Sequence, residues 1–461
     1  MKIYKRLASL AVASAVAISA MAQNSNSSYF MESMANRHEI NPAFTPDYNY
    51  VSPLPALGGM LIGSNSNIGV SDFLFKHNGQ LVTGLNQAIS ADEFLSGLKN
   101  GANLDLNMKL NILSFGFKKW GGYNTFGLSV HSTTGITLPY ELFEFAKVGQ
   151  PGGAATVYDL HRIGVSSYNY VELALGHSRQ ITDRLRAGAK VKYLAGIAAA
   201  RLQLDRLDLA MAQEQWSIHE QGSLFTTDIV DIAYKDNGEI DNAKFGSVGI
   251  AGNGIGFDLG ASYELLDELT LSASLTDIGF ISWKGQRARL NPEPFVYNGF
   301  SHIGAEDDPA TGESAFDQEI DQIEDDLKAL ARFEQETSDS HLQSLATTLN
   351  VGAEYRILNE KIAFGLLSST RFGMPKTWTE LMASANFRPV SWFNMTVNGS
   401  VSNLGHSIGT VINFNPKGFN FYIGSDYIPM KYAKQGVPIS DAKFKLTMGM
   451  VFTFGHDKKE N

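Results

Sequence analysis

The alternation of apolar and polar side chains is the feature that most restricts the fold of this chain. Phe257, Leu259 and Tyr263 alternate with Asp258 and Ser262, and the same period of two recurs in many segments after residue 57. Because successive side chains of a β-strand point to opposite faces, one face of each strand is apolar and the other is polar or small. A transmembrane barrel needs this pattern, with lipid outside and water or a polar plug inside.

Fourteen segments show this pattern, an even number as expected for a single-chain bacterial barrel. They are 57–70, 104–118, 123–136, 169–181, 185–201, 254–265, 269–283, 346–357, 361–371, 379–388, 392–403, 409–415, 419–427 and 442–454. The connections after every second strand are short, and the long ones at 71–103, 137–168, 202–253 and 284–345 all belong to the other set. Short periplasmic turns and long outer loops are typical of such barrels. The sequence therefore predicts an all-β, transmembrane antiparallel β-barrel of about 14 strands.

The first 22 residues have the pattern of a secretory signal peptide. Lys2, Lys5 and Arg6 precede an apolar stretch, and Ala20 and Ala22 are the small residues of a cleavage site. The stretch is too short for a spanning helix, which needs about 20 residues. We expect removal of residues 1–22 during export and a final location in the outer membrane of a Gram-negative cell.

Composition and motifs argue against several classes of function. The chain has no cysteine, which excludes disulfides and thiolate metal sites. Its net charge of −10 disfavours nucleic acid as a partner, because phosphate binding needs clustered Lys and Arg. H-E-x-x-H does not occur in the sequence, and the G-x-S-x-G match at Gly405–Gly409 leads into the strand predicted at 409–415 rather than into the helix of a nucleophile elbow. We therefore expect no enzymatic activity, no metal and no cofactor.

The two longest connections are acidic, with net charges of −6 over 202–253 and −9 over 284–345. Within the second, Phe316, Ile320, Ile323 and Leu327 recur at helical spacing and predict an amphipathic helix over the barrel mouth. Such a helix is either a solvated surface element or part of a gate or partner-docking surface. The sequence leaves both interpretations open.

Residues 23–56 precede the first predicted strand and combine prolines with large apolar groups, which suits neither a strand nor a helix. Such a segment either extends into the periplasm or inserts into the lumen, and we expect insertion as a hatch because its apolar groups would otherwise be wet. A hydrophobic ligand needs an apolar patch. The residues expected to supply it are Phe30, Met34, Asn41, Phe44 and Leu54.

A set of charged side chains falls on the polar face of the predicted strands. They are Glu172, Arg186, Lys190, Lys192, Asp258, Glu264, Glu354 and Arg356. Facing a lumen, they either pair across strands and brace the wall or line a water-filled channel.

Four stretches carry a resemblance to a known family: Asn41–Phe44, Lys192–Gly196, Thr276–Trp283 and Tyr422–Asp426. Together they resemble a domain-of-unknown-function family of outer-membrane barrels from the Bacteroidota. The first and third are also similar to FadL-like barrels, a group that includes the long-chain fatty-acid transporter and the secretion shuttle protein PorV. The resemblance covers most of the chain and implies fourteen strands and an N-terminal hatch.

The predicted organisation is a signal peptide at 1–22, a hatch segment at 23–56, a barrel at 57–454 and a periplasmic tail at 455–461. The leading functional hypothesis is passive transport of a hydrophobic or amphiphilic small molecule. The alternative is a secretion-linked or scaffold barrel that binds protein partners through its acidic extracellular loops. The expected partners are outer-membrane lipid, a hydrophobic small molecule and another envelope protein.

Overall fold

The computed structural model describes residues 26–52, 58–236, 238, 240–245, 249–290, 294–299, 315–330, 332–373, 377–403, 405–428 and 444–455. The signal peptide at 1–22, Leu54 and residues 456–461 of the predicted tail lie outside these ranges. Within them, no helix is both long enough and apolar enough to cross a membrane.

The secondary structure of the described residues is dominated by β-strands. In chain order the strands are β1 Asn49–Ser52, β2 Met60–Ser66, β3 Leu74–His77, β4 Gln80–Thr83, β5 Ala102–Lys119, β6 Gly122–Leu138, β7 Thr156–Asp159, β8 Gly164–Gln180, β9 Leu185–Met211, β10 Trp216–Thr226, β11 Val230–Tyr234, β12 Ile240–Phe245, β13 Gly252–Glu264, β14 Leu269–Leu290, β15 Phe295–Tyr297, β16 Phe333–Ser344, β17 Thr348–Ile357, β18 Ile362–Arg371, β19 Trp378–Val390, β20 Phe393–Ser402, β21 Gly405–Phe414, β22 Phe419–Tyr427 and β23 Phe444–Phe454. The α-helices are α1 Ala91–Ser96, α2 Tyr140–Val148 and α3 Ala315–Ala329, and single 3-10 turns lie at Asn26–Ser28, Ala35–Glu39, Val70–Asp72 and Pro151–Gly153.

The strands close into one antiparallel barrel. From β5 the wall runs through β6, β8, β9, β13, β14, β17, β18, β19, β20, β21, β22 and β23. The ring is closed by β2, in which Ile62 pairs with Leu446 of β23 on one side and with Met108 of β5 on the other. The predicted antiparallel barrel of fourteen wall strands is therefore confirmed, and each predicted strand overlaps an observed one.

The first wall position is built from two pieces, which differs from the sequence prediction of one strand at 57–70. Strand β1 already occupies the wall, because Val51 pairs with both Phe452 and Phe115. Seven residues lie between Ser52 and Met60, but only three lie between their partners on β5, Ser114 and Leu110. Pro53 and Pro55 have no backbone N–H to donate to a ladder, and for this reason the sequence analysis did not recognise strand β1, which precedes them.

The two faces of the wall have the predicted chemistry. Leu259, Val351 and Leu366 are exposed on the outer face, whereas Asp258 and Asn350 are buried on the inner face. An apolar exterior and a polar interior are what a closed barrel needs in a bilayer, where every backbone N–H and C=O must be paired within the protein.

One side of the wall rises beyond the others, which the sequence analysis missed. Strand β9 continues to Met211, ten residues past its predicted end, and pairs there with β10. Strand β16 pairs with the upper part of β14. Both partner strands lie in the long acidic segments, where charged residues such as Asp205, Arg206 and Asp208 obscure the alternation. The helix expected in the second segment is confirmed as α3.

The outer face can be tested by moving an arginine between two equally exposed leucines. Leu366, at the middle of β18, and Leu81, in the separate β3–β4 hairpin, are both 66% exposed. We expect Leu366→Arg to cost about 2–4 kcal/mol of folding free energy in a bilayer, since lipid cannot solvate the charge. Leu81→Arg should cost little. Folding into liposomes, followed by heat-modifiable gel mobility, measures both; equal losses would place the bilayer belt elsewhere.

Helix α3 should be dispensable for the barrel. Replacing residues 315–329 by a flexible linker removes no residue of the ladder, and loop length alone changes stability only slightly. Residues 333–344 must be retained because they form β16. The deletion should keep the heat-modifiable mobility of the full chain, and its loss would show that α3 supports the wall.

Candidate functional site

Residues 26–48, called here the inserted segment, lie inside the barrel. The N–H groups of Asn26 and Ser27 donate to the carboxylate of Asp426 at 2.8 and 3.0 Å, and Lys445 pairs with the same carboxylate at 2.9 Å. Asn398 also donates to the Ser27 hydroxyl at 2.6 Å. The start of the segment is thus fixed to the wall by polar contacts on three strands, β20, β22 and β23.

An apolar cluster fixes another part of the inserted segment. Tyr29 packs edge-on against Phe30 and Phe44, with ring centroids 4.9 and 5.1 Å apart. Leu367 and Met382 of the wall complete the cluster. The guanidinium of Arg37 lies 4.1 Å from the centre of the Phe44 ring, and burial lowers its pKa to about 10.

The residues predicted to bind a ligand occupy this packed interior. Phe30, Met34, Asn41 and Phe44 are all buried, and none of them lines the main cavity of the lumen described below. Leu54 lies outside the described residues. A ligand role for these side chains stays a prediction, and it would require the inserted segment to move.

Asn41 shows why an Asn-Pro pair occurs at this place. Its amide donates to the carbonyls of Ala261 and Ala273 at 3.2 Å each, and its oxygen accepts the N–H of Ala43 at 2.9 Å. The side chain therefore closes a turn and bonds to wall carbonyls. Glycine at position 260 leaves room for this contact, because a Cβ there would lie 2.8 Å from the ring of Pro42.

The inserted segment leaves a lumenal cavity of about 120 Å³. Its lining combines both signs of charge with aromatic groups. The cations are Lys109, Lys190, Lys192, Arg371 and Lys445; the carboxylates are Glu39, Glu172, Asp258 and Asp277; and the aromatic groups include His131, Tyr168, Tyr170 and Trp378. A small molecule with a polar head and an apolar body would meet a partner for each part here.

Lys192 is the centre of the charged lining. Its ammonium lies 2.6 Å from Asp277, 2.8 Å from Asp258 and 3.5 Å from Glu172. Glu172 in turn lies 3.6 Å from the His131 ring. These contacts join strands β6, β8, β9, β13 and β14, so that much of the wall is braced around one ammonium group.

A β-bulge places Asp277 in this network. The pairing of β13 with β14 shifts between Phe257 and Leu259, so that two residues of β14 oppose Asp258. Asp277 takes a positive φ of 59°, and its N–H donates to Asp258 at 2.7 Å. Bulges re-aim side chains in this way, and here the bulge turns a carboxylate toward Lys192.

The other predicted lumen charges lie nearer the end of the barrel with the short turns. Glu354 pairs with Arg388 at 2.7 Å, and Arg356 pairs with Glu32 of the inserted segment at 3.2 Å. Arg186 donates to the Thr45 hydroxyl at 2.9 Å. Glu264 is exposed at the end of β13. The eight predicted charges thus do not form one site. Some belong to the Lys192 network and the cavity, others form contacts near the short turns, and Glu264 lies at the rim.

Two buried or cavity-lining residues of the lumen, Asp277 and Trp283, were missed by sequence reasoning. Asp277 was hidden because the bulge breaks the period of two. Trp283 is fully buried and packs against its cross-strand partner Gly252, where a Cβ would lie 2.9 Å from the Trp283 ring. A glycine paired across strands with a large aromatic residue is the signal that could have found it. Among the described residues, no group of three or more His, Asp or Glu side chains has the geometry of a metal site.

Removal of the central ammonium should destabilise the barrel strongly. Lys192→Met leaves three carboxylates without their shared partner, and breaking a buried ion pair costs about 3–5 kcal/mol. The matched control is Arg162→Met, because Arg162 pairs with Glu141 at 2.9 Å on the surface, where about 0–1 kcal/mol is expected. Urea unfolding from liposomes measures both variants, and equal losses would show that the network does not brace the wall.

Comparison with solved structures finds similar barrels of low sequence identity. The Ralstonia pickettii toluene transporter TbuX is 8% identical, with 95% of this chain and 97% of that chain covered and a TM-score of 0.44. The Pseudomonas putida toluene transporter TodX is 11% identical, with coverage of 90% and 93% and a TM-score of 0.42. A Pseudomonas aeruginosa FadL homologue is 11% identical, with coverage of 95% and 98% and a TM-score of 0.44.

No curated protein matches the sequence. One family model matches residues 42–426. The match begins in the Asn-Pro turn of the inserted segment and ends at Asp426, whose carboxylate binds the start of that segment. The chain therefore belongs to the family of unknown function DUF5723.

Proposed function

We propose that this protein is an outer-membrane channel for a small amphiphilic molecule, closed by the inserted segment in the described state. The observation that carries the proposal is the position of the segment. It runs through the lumen of a closed barrel, with all residues from Asn26 to Phe44 buried except Glu32, Ser33 and Glu39, and it leads into wall strand β1. A segment in this position blocks the path through the barrel, and its displacement would open that path.

The lining of the cavity indicates the class of molecule. The lining is rich in charged groups, so a purely apolar ligand would find few apolar partners there, whereas a polar head could bind beside the Lys192 network. Tyr168, Tyr170 and Trp378 offer aromatic surface beside those charges. A molecule with a polar head and an apolar body therefore fits better than a hydrocarbon.

The outer membrane is the proposed location, reached after removal of residues 1–22. The support is physical: a closed ladder with an apolar exterior is suited to a bilayer, and the positive residues and small-residue cleavage site precede the barrel. N-terminal sequencing of the protein from outer-membrane fractions should begin at Gln23. Recovery from the soluble periplasm would contradict the proposal.

A second candidate function is the docking of a protein partner at the tall side of the barrel. Val157 of β7, Trp216 of β10 and Val296 of β15 are exposed at its tip, where β7 and β10 flank β9. Exposed apolar groups on an acidic surface favour a partner with complementary chemistry. A protein that co-purifies in fixed ratio with the full chain, and is lost in Val157→Asp, would favour this function.

Opening of the channel should follow removal of the inserted segment. Deleting residues 24–46 behind an intact signal peptide keeps β1 in the wall and empties the lumen of its plug. We expect the truncated barrel to insert normally and to conduct ions in planar bilayers at least about tenfold more than the full chain. A truncated barrel that folds but conducts no better would contradict the channel proposal.

A covalent lock provides the converse experiment. A Cβ at position 409 would lie 2.7 Å from the Ser27 hydroxyl oxygen, close to the separation of about 3 Å between the Cβ of one half-cystine and the sulfur of the other. The backbone of Ser425 and Asp426, 2.8 and 2.9 Å from this Cβ, must shift slightly to admit it. The chain has no cysteine of its own. Ser27→Cys with Gly409→Cys should therefore take up an amphiphile into liposomes only after reduction, whereas each single variant should be insensitive to the reductant.

A further inference from the structure

The 3-10 turn Ala35–Glu39 ends in two adjacent polar residues that contact separate parts of the wall. Nδ1 of His38 lies 2.8 Å from Nζ of Lys190 on β9. The Glu39 carboxylate pairs with Lys109 on β5 at 3.2 Å and accepts the Asn111 amide at 2.9 Å. Strands β6 and β8 lie between β5 and β9. The two residues thus connect wall regions that do not touch each other directly.

The hydrogen bonds of His38 have one consistent direction. An ammonium can only donate, so Nδ1 must accept from Lys190, and Nε2 must then carry the proton. Nε2 donates to the Tyr50 oxygen at 2.6 Å, and Tyr50 donates to Ser114 at 2.9 Å. Burial lowers the pKa of His38 well below its usual value, and the charges of Lys190 and Lys109 lower it further. The ring is therefore neutral, as this chain of bonds requires.

Glu39, beside His38, stays negatively charged despite its burial. Burial by itself would raise the pKa of Glu39, but Lys109 and Lys190 outweigh burial and lower the pKa below its usual value. The side chains of Glu39 and Lys109 each retain 14% exposure, and both line the cavity. The pair is therefore neither fully desolvated nor screened as an exposed surface pair would be.

The wall lysines need the inserted segment as much as the segment needs them. Among the described residues, no carboxylate lies within ion-pair distance of Lys190, and His38 supplies the hydrogen-bond acceptor of this buried ammonium. Withdrawal of the segment would leave Lys190 without that acceptor and Lys109 without its counter-charge, which costs free energy unless water takes their place. This cost favours the closed state.

We propose that His38 and Glu39 form a latch, and that Lys190 and Lys109 are the positioning residues that hold the inserted segment closed against the cavity. The proposal rests on the proposed channel function and adds the contact that regulates it. The latch differs from the ion pairs of Glu32, which lie near the short turns, because Glu39, Lys109 and Lys190 all line the cavity. It therefore acts where the open path would begin.

A charge exchange tests the latch on the full chain. Glu39→Lys places two ammonium groups side by side, and Lys109→Glu places two carboxylates together. Each single variant should raise the frequency of open events in planar bilayers by about tenfold, a coupling of the size found for contacting residues. The double variant restores an ion pair and should return within about threefold of the unaltered chain. A role in folding stability alone would change unfolding or heat-modifiable mobility, whereas the frequency of open events of the folded barrel would stay unchanged.

The matched control exchanges the exposed pair Arg162 and Glu141, which should leave open events unchanged. Heat-modifiable mobility shows whether each variant folds. If Glu39→Lys fails to fold, the single variants His38→Leu and Lys190→Met and their double variant test the other contact of the latch by the same comparison. Single variants that conduct like the unaltered chain, or a double variant as open as the single ones, would overturn the latch. If the 24–46 deletion conducts while the latch variants stay silent, only the latch fails; if the deletion is also silent, the channel proposal fails with it.

Discussion

The rest of this structure depends on the closure of one hydrogen-bond ladder. In a bilayer, an unpaired backbone N–H or C=O has no water to bind, so a sheet can cross only if its last strand meets its first. Here β23 meets the wall position shared by β1 and β2. Closure has a second consequence, because a ring of fourteen strands encloses more space than its own inward side chains fill. The inserted segment fills the difference, and its placement inside the ring brings hatch and wall residues into contact.

The filling has two chemically distinct sides. Tyr29, Phe30 and Phe44 pack with Leu367 and Met382 against the wall, where burial of apolar area stabilises the plugged state without specifying a ligand. On the other side, His38 and Glu39 face lysines. A closed state held only by apolar packing would be hard to reverse, whereas polar contacts at a cavity can be exchanged for water at modest cost. The apolar side therefore stabilises the closed state, and the polar side allows that state to open.

The sequence was sufficient for the wall and insufficient for the lumen, and the reason is physical. Period-two alternation reports which side of a strand meets lipid, and lipid imposes that requirement along each strand, so all fourteen wall positions could be found, although the β1 piece of the first was missed. Above the bilayer the requirement ends, and β10 and β16 alternate too weakly to be recognised. Lumenal partners are set by register and by bulges: Glu172 and Lys192 were identifiable as inward charges, but their meeting with Asp277 depends on a bulge that the pattern does not encode.

The same network explains how a charged lumen can coexist with a closed barrel. Three carboxylates around Lys192 are more than one ammonium balances, and the surplus is offset by Lys109 and Lys190 nearby, which are themselves occupied by Glu39 and His38. The inserted segment is therefore part of the charge balance of the wall. Moving it changes the field in the cavity, since Glu39 takes its negative charge with it and leaves Lys109 and Lys190 facing the void. The position of the inserted segment and the electrostatic field of the cavity therefore change together, and a ligand whose polar head enters the cavity would affect both.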